Sequence, residues 1–456
     1  MVQFQAFPSP SRRPFVPATS ASRYRIDGGQ PVSGRIRGLG AKNFATKAMV
    51  AALLAEGTTT LLNTPRIGDV DITCELLAAA GAKLAWPREG VLEIDASALA
   101  SADVPVPDSG SNRIPILLLG VLLHRLGAAH VPVVSGCNIG ARPVDFHLDA
   151  ARLFGAEIEI AKEGYRAKRR GPLSACHYRL PYPSVGATES CLFLGVLARG
   201  TSIIENVATE PEIIALITLL NAMGARIQLR PNRELVIEGV DRLYATTFEV
   251  LGDRIEAASW AALAAATDGD ITVDGIDPAT LINFFGPFNA VGGGVAIEGP
   301  RSIRFFRRRP LKSIVLETDV FPGFATDWQQ PFAVMLTQAT GTSIIHETVY
   351  ERRFDYLEAL AALGARTQIE THCLGSVACR FRGRDFPHSA IIQGPTKLRS
   401  KGLSLEVPDL RAGLAYVMAA ALAEGETTIT GVPRIERGYG ALAERTRGLT
   451  LRLAAA

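Results

Sequence analysis

The sequence lacks any run of 18 or more apolar residues, so it offers no candidate membrane-spanning helix. It also lacks an excess of charge. There are 48 Lys and Arg against 45 Asp and Glu, a formal net of +3 in 456 residues. A nucleic-acid binder would show a broad basic field. Neither nucleic acid nor a membrane is therefore expected as a partner. The basic clusters at 166–170 and 307–309 read as solvated loops. The six cysteines (Cys74, Cys137, Cys176, Cys191, Cys373 and Cys379) contain no C-x-x-C pair, and the seven histidines form no H-x-x-x-H or mixed Cys/His motif. Free thiols in a reducing cytoplasm are expected, and no metal site. Residues 1–24 hold Ser, Pro and Arg but no apolar signal core, and read as a disordered N-terminal extension.

What is present is repetition. A small-apolar helix, a Gly turn and a β-branched run recur around Gly57, Gly127, Gly200, Gly269, Gly341 and Gly425. The period is close to 70 residues. A second phrase follows each copy: a Leu- or Ala-rich helix, a Gly and a short strand. Its glycines are Gly81, Gly155, Gly224, Gly293, Gly364 and, in a degraded copy, Gly448. Gly just past a helix takes the left-handed conformation without a Cβ penalty and turns the chain into the strand. The reading is α/β, with six repeats of about 70 residues, divided naturally into two domains of three.

Polar residues break this pattern in three places. Gly40-Ala41-Lys42-Asn43 precedes a helix, where open backbone N–H groups and a lysine suit a phosphate or carboxylate. A surface lysine is the plain alternative. In the stretch 135–145, glycines flank Cys137, and Arg142 follows five residues on. An electropositive neighbour favours a thiolate, whereas most cysteines are small buried hydrophobes. Both readings stand for Cys137, while Cys74 and Cys191 sit in apolar helices. In the second half Thr326-Asp327, Arg353, Asp409 to Arg411 and Arg437-Gly438-Tyr439 lie near helix starts or in links. They suit an anion clamp or surface salt bridges.

At these residues the chain resembles the enolpyruvyl transferase family. The matches are GAKN at 40–43, CNIGARPVD at 137–145, PSVGAT at 183–188, EPEI at 210–213, GDRIEA at 252–257, ATDWQ at 325–329, ERRF at 351–354, DLRAG at 409–413 and ERGY at 436–439. The resemblance runs from about Ser33 to Tyr439 and is nearest to the branch acting on UDP-N-acetylglucosamine. The resemblance implies a two-domain inside-out α/β barrel. One domain would combine 25–41 with 252–456, and the other would be 42–251. It implies transfer of the enolpyruvyl group of phosphoenolpyruvate to a hydroxyl of a uridine nucleotide, with phosphate released by addition–elimination. Both substrates are small molecules, and no metal or organic cofactor is required. Lys42, Arg113, Arg142, Arg411 and Arg437 would hold phosphoenolpyruvate. Cys137 would be the acid, Asp327 the base at the acceptor hydroxyl, and Lys42 would assist catalysis. Asn43, Asp145, Ser184, Val185, Gly186, Asp327, Val349 and Tyr350 would line the nucleotide pocket.

The chain departs from the family pattern near the acceptor. Tyr182 replaces a lysine, Thr209 an arginine, and Ala325 a proline; Val134-Ser135 stand where Pro-Gly is usual, and Glu436 replaces an aspartate. Two other readings are therefore carried: a relative acting on UMP or a similar uridine nucleotide in nucleoside-antibiotic synthesis, and an inactive binding or regulatory relative. Joint retention of Lys42, Cys137 and Asp327 argues against the second.

Overall fold

Four of the six glycines expected to end helices take the left-handed conformation their positions demand, whereas Gly448 stays inside the short 3-10 turn Thr446–Gly448. In the computed structural model, which describes residues 22–134, 143–377, 379–408 and 412–456, Gly81, Gly155, Gly224 and Gly364 all have φ between +98° and +105°. In the fourth copy the left-handed residue is Gly292 (φ +126°), one place before the expected Gly293.

The strands that follow form five four-stranded sheets, one three-stranded sheet and one two-stranded pair among the described residues. The five larger sheets share one pattern. The strand after the repeated Gly turn pairs parallel with one neighbour and antiparallel with another. These strands are Thr58–Leu62, Thr201–Glu205, Asp270–Asp274, Gly341–His346 and Gly425–Thr430. In Thr58–Leu62 and Thr201–Glu205 buried residues alternate with more exposed ones, as expected for sheets with one face on a core, whereas Asp270–Asp274 buries Ile271, Thr272 and Val273 in succession. The fold is mixed α/β.

Five of the sheets contain a hairpin after a Gly-ended helix, and one hairpin differs. The connections at 89–90, 161–163, 231–233 and 300–301 are two or three residues long. The connection between Arg366–Glu370 and Ser389–Gly394 is 18 residues, 371–388.

Two hydrophobic cores form. One spans Ala41 to Val250, and the other unites Tyr24 to Ile36 with Ala257 to Leu449. The chain crosses between them at 37–40 and again at 251–256. The crossings run side by side: Gly40 bridges Gly252, Ala41 N–H donates to the Leu251 carbonyl (2.7 Å), and Asp253 N–H donates to the Leu39 carbonyl (2.8 Å). A side chain at Gly40 would collide with the Asn63 carbonyl, and one at Gly252 with the Gly275 carbonyl, so glycine is required at both. Each crossing opens directly into a helix, Lys42–Ala52 and Arg254–Ala266.

The N-terminal extension stops short of residue 24. The strand Arg23–Gly28 starts before it, Tyr24 is fully buried, and its hydroxyl donates to Glu436. Alternating Tyr24 and Ile26 supply the apolar face that makes this a strand. Among the described residues no helix is long and apolar enough to cross a membrane.

Candidate active site

Both crossovers end at a cleft of about 380 Å³ lined from both cores. The site residues expected from sequence that lie within the described residues all line it: Lys42, Asn43, Arg113, Asp145, Ser184, Val185, Gly186, Asp327, Val349, Tyr350 and Arg437. Cys137, Arg142 and Arg411 lie outside the described residues.

At one end Lys42 and Arg437 converge on a carboxylate that sequence reasoning missed. Lys42 Nζ lies 3.2 Å from Asp69 Oδ2, and Arg437 Nε donates to Asp69 Oδ1 at 2.8 Å. A second guanidinium N–H of Arg437 donates to the Ser111 carbonyl at 2.7 Å. Burial pushes Asp69 up, but the Lys42 ammonium and Arg437 guanidinium outweigh it and hold the carboxyl below its ordinary value. Cations drawn together without an anion would repel strongly, and Asp69 provides that anion. In sequence it reads only as an acid in the first turn of Gly68–Ala79.

Asp327 is held from behind. Both terminal nitrogens of Arg353 donate to its Oδ1 at 2.9 Å, and Arg353 also donates to Thr326 Oγ1 at 3.1 Å. The Arg353 side chain has no exposure. Glu347, also fully buried, accepts from Thr326, Gln329 and the backbone N–H groups of Val349 and Tyr350, all at 2.8–3.0 Å. This web fixes the 347–350 turn relative to Asp327. A second buried pair joins the two cores: Arg254 donates to both carboxylate oxygens of Glu212 at 2.9 and 3.1 Å.

On the facing wall Ser184 caps the helix Val185–Gly195, accepting from Ala187 N–H at 3.3 Å. A Cβ at Gly186 would lie 2.9 Å from the His147 ring, so this close approach requires glycine. His147 is held by Ser190 Oγ at 2.8 Å, and burial, aided by Arg113, lowers its pKa to about 3. Glu189, one turn into the same helix, is pushed up to about 7 by burial, with Lys47 at 3.9 Å opposing the shift. Sequence reasoning missed it because nothing local marks a single acid in a mostly apolar helix as buried. At Tyr182, where a lysine was expected, the Arg380 guanidinium lies 4.9 Å from the ring centroid and its N–H donates to the Val349 carbonyl. A cation thus reaches this corner from the opposite core.

The expectation that no metal-ligand cluster exists needs correction. His346, Cys373, Cys379 and His388 bring their ligand atoms within 4.8 Å of one another. His346 ends the strand Gly341–His346, and the other three lie in the long 371–388 connection, a grouping no local spacing could reveal.

Comparison with known proteins agrees with this geometry. The family model described as EPSP synthase (3-phosphoshikimate 1-carboxyvinyltransferase) matches residues 26–445. The UDP-N-acetylglucosamine 1-carboxyvinyltransferase of Protochlamydia amoebophila is 46% identical over 91% of this chain and 90% of its own length. That of Zymomonas mobilis is 39% identical, over 93% and 96%. Among solved structures, the enolpyruvyl transferase NikO of Streptomyces tendae aligns with a TM-score of 0.81 at 24% identity, over 95% of this chain and 99% of its own, a likeness of fold. The chain belongs to the EPSP synthase family of enolpyruvyl (1-carboxyvinyl) transferases.

Proposed function

We propose that the protein transfers the enolpyruvyl group of phosphoenolpyruvate to the 3-hydroxyl of UDP-N-acetylglucosamine, the first committed step of peptidoglycan precursor synthesis. The observation that carries this reading is a cleft that gathers cations at one end and a braced carboxylate at the other. The 46% identity to a relative named for that acceptor supports it.

Lys42, Arg113 and Arg437 line the donor end, and Arg142 and Arg411 join them in this reading. Fixed cations there bind the phosphate and carboxylate of phosphoenolpyruvate and stabilise charge that develops at its oxygens. The Asp69 carboxylate occupies the bridging position until the substrate supplies its own anions. Cys137 delivers a proton to the CH₂ carbon, which makes C2 electrophilic. The acceptor oxygen attacks C2 while Asp327 takes its proton, and phosphate leaves the tetrahedral adduct as the Cys137 thiolate takes a proton back from the new methyl group, which restores the C=C bond of the enolpyruvyl product. Asp327 needs a fixed direction for that task, and Arg353 and the Glu347 web provide it. Asn43, Asp145, Ser184, Val185, Gly186, Val349 and Tyr350 receive the nucleotide. The N-terminus of Val185–Gly195 faces its phosphates.

The two cores are the two domains of this reading, 25–41 with 252–456 and 42–251. Each carries three repeats in the inside-out barrel arrangement. Free thiols fit a reducing cytoplasm, and the near-neutral charge fits small-molecule partners only. The alternative acceptor, UMP or a similar nucleotide, draws on Tyr182 and Thr209 standing where a lysine and an arginine are usual, against which Arg380 beside Tyr182 and Arg233 beside Thr209 return positive charge. Phosphate release from phosphoenolpyruvate, measured with UDP-N-acetylglucosamine and with UMP, separates the two. Turnover with UMP alone would overturn the proposed acceptor.

A further inference from the structure

We infer that His346, Cys373, Cys379 and His388 form a structural zinc site that pins the 371–388 connection and so holds Arg380 against the acceptor side of the cleft.

The first argument is the hydrogen-bond bookkeeping of the two imidazoles. Ser389 Oγ donates its only hydrogen to the His372 carbonyl (2.7 Å), so toward His346 Nδ1, 2.9 Å away, it acts as acceptor. The Phe386 carbonyl, 2.6 Å from His388 Nδ1, can only accept. Both rings therefore carry their proton on Nδ1 and turn an Nε2 lone pair toward the cluster, the arrangement that protein partners impose on metal-bound histidines. His346 is fully buried, and its Nε2 has no hydrogen-bond partner. A buried nitrogen lone pair left unmatched is costly, and a metal ion satisfies it.

The second argument is the ligand set. Cys373 Sγ lies 3.3 Å from His388 Nε2. Ligand atoms of a tetrahedral zinc site lie about 3.5 Å apart, given metal bonds near 2.0–2.3 Å. The cluster's atoms, all within 4.8 Å of one another, need only a small inward adjustment. Two thiolates and two neutral imidazoles select zinc over harder cations. Binding releases the two thiol protons, and the thiolates balance the charge of the ion.

The third argument is the fold. Every corresponding hairpin closes in two or three residues, but this one takes 18. Phe381 is buried against Phe386 and His388 and stands outside the main core. So small an apolar nucleus cannot order such a segment alone, which is the usual setting for a metal staple. The staple has a consequence at the cleft, and this part rests on the proposed acceptor site. Arg380 follows Cys379 directly, and Glu347, which braces the 347–350 turn, follows His346.

The test uses the full chain, purified without chelator and reduced. Elemental analysis should find about one zinc per chain, and Co²⁺ exchange should give the visible spectrum of a tetrahedral thiolate–imidazole site. Cys373→Ser/Cys379→Ser should lose the zinc, whereas Cys74→Ser should keep it. Reduced wild-type protein that takes up neither zinc nor Co²⁺ would overturn the site, whatever becomes of the double variant. Zinc content unchanged in a folded double variant would do the same. For the positioning role, stripping the metal should raise KM for the nucleotide about tenfold, the scale of one charged hydrogen bond, and leave KM for phosphoenolpyruvate unchanged. Arg380→Ala should reproduce that KM change with zinc retained. A stripped enzyme with unchanged nucleotide KM would overturn the positioning role. Metal stoichiometry is independent of which acceptor is used, so failure of the function reading would leave it readable.

Discussion

The two cores share a sheet pattern but are filled differently. The largest fully buried side chains between Ala41 and Val250 are Phe44, Phe154 and Phe193. The other core holds Tyr24, Trp260, Trp328, Phe284, Phe288, Phe305, Phe332 and Phe354. The walls they present to the cleft differ as well. On the aliphatic side burial pushes Glu189 up to about 7 and lowers His147 to about 3, while Lys42 and Arg437 hold Asp69 below its ordinary value. On the aromatic side Asp327 is matched by Arg353 and Glu347 by four donors, while burial pushes Asp253 up to about 6. One repeat architecture thus supports two electrostatic solutions, a neutral form imposed by burial at Glu189 and a built ion pair at Asp327.

Removing one partner from each wall probes that contrast most strongly. Arg353→Ala leaves the Asp327 carboxylate without its buried partner and should cost about 3–5 kcal/mol. Lys47→Ala should cost less than about 1 kcal/mol at pH 6, because Glu189 can take up a proton instead of keeping a buried charge. Urea unfolding of both variants checks this. Equal losses would erase the distinction between the walls.

The next effect is kinetic. Asp327→Asn keeps an oxygen for Arg353 but cannot accept a proton. It should fold and lose roughly 10²-fold or more in kcat, the scale of a missing general base. An unchanged kcat in the folded variant would move the base elsewhere and leave Asp327 a structural partner of Arg353.

Sequence reading found the residues whose motifs are contiguous and whose neighbours are polar. Lys42-Asn43 and Asp327 stand out against apolar repeats, the family resemblance adds Ser184 to Gly186, and all reach the cleft. It found the repeats because a glycine ending a helix leaves a local mark, and it misplaced one by a residue where Gly292, Gly293 and Gly294 are adjacent. It failed where function depends on distance in space. Asp69 takes its meaning from Arg437, 368 residues away. Glu189 sits in a mostly apolar helix between Thr188 and Ser190, so only its burial makes it unusual. The ligands of the Cys/His cluster are spread over 346–388, and only the pairing of Gly341–His346 with Ser389–Gly394 brings the two histidines together. The one available hint was the length of the polar stretch after Glu370, where the other repeats turn at once.

The smallest expected effect has the most specific sign. Glu189 has an ordinary value of 4.5 and is pushed up to about 7, mainly by burial, with Lys47 opposing and Glu210 and Glu212 reinforcing the shift. Between those values the unfolded chain has lost the proton and the folded protein still holds it. Folding stability from this group therefore falls as pH rises from 4.5 to about 7 and stays reduced above that. His147, lowered from 6.5 to about 3 by burial and by Arg113, acts oppositely. Between those values the unfolded state binds the extra proton, so stability falls as pH drops. The two slopes oppose each other between about 4.5 and 6.5, and wild-type protein should show little dependence there from this wall. Glu189→Gln removes one slope only. The variant should match wild type near pH 4.5 and gain on it steadily, by about 1–3 kcal/mol at pH 8. Thermal unfolding across that range reads the difference directly. A variant less stable than wild type at pH 8 would mean that Lys47 holds Glu189 ionised, and that this wall keeps a built ion pair after all.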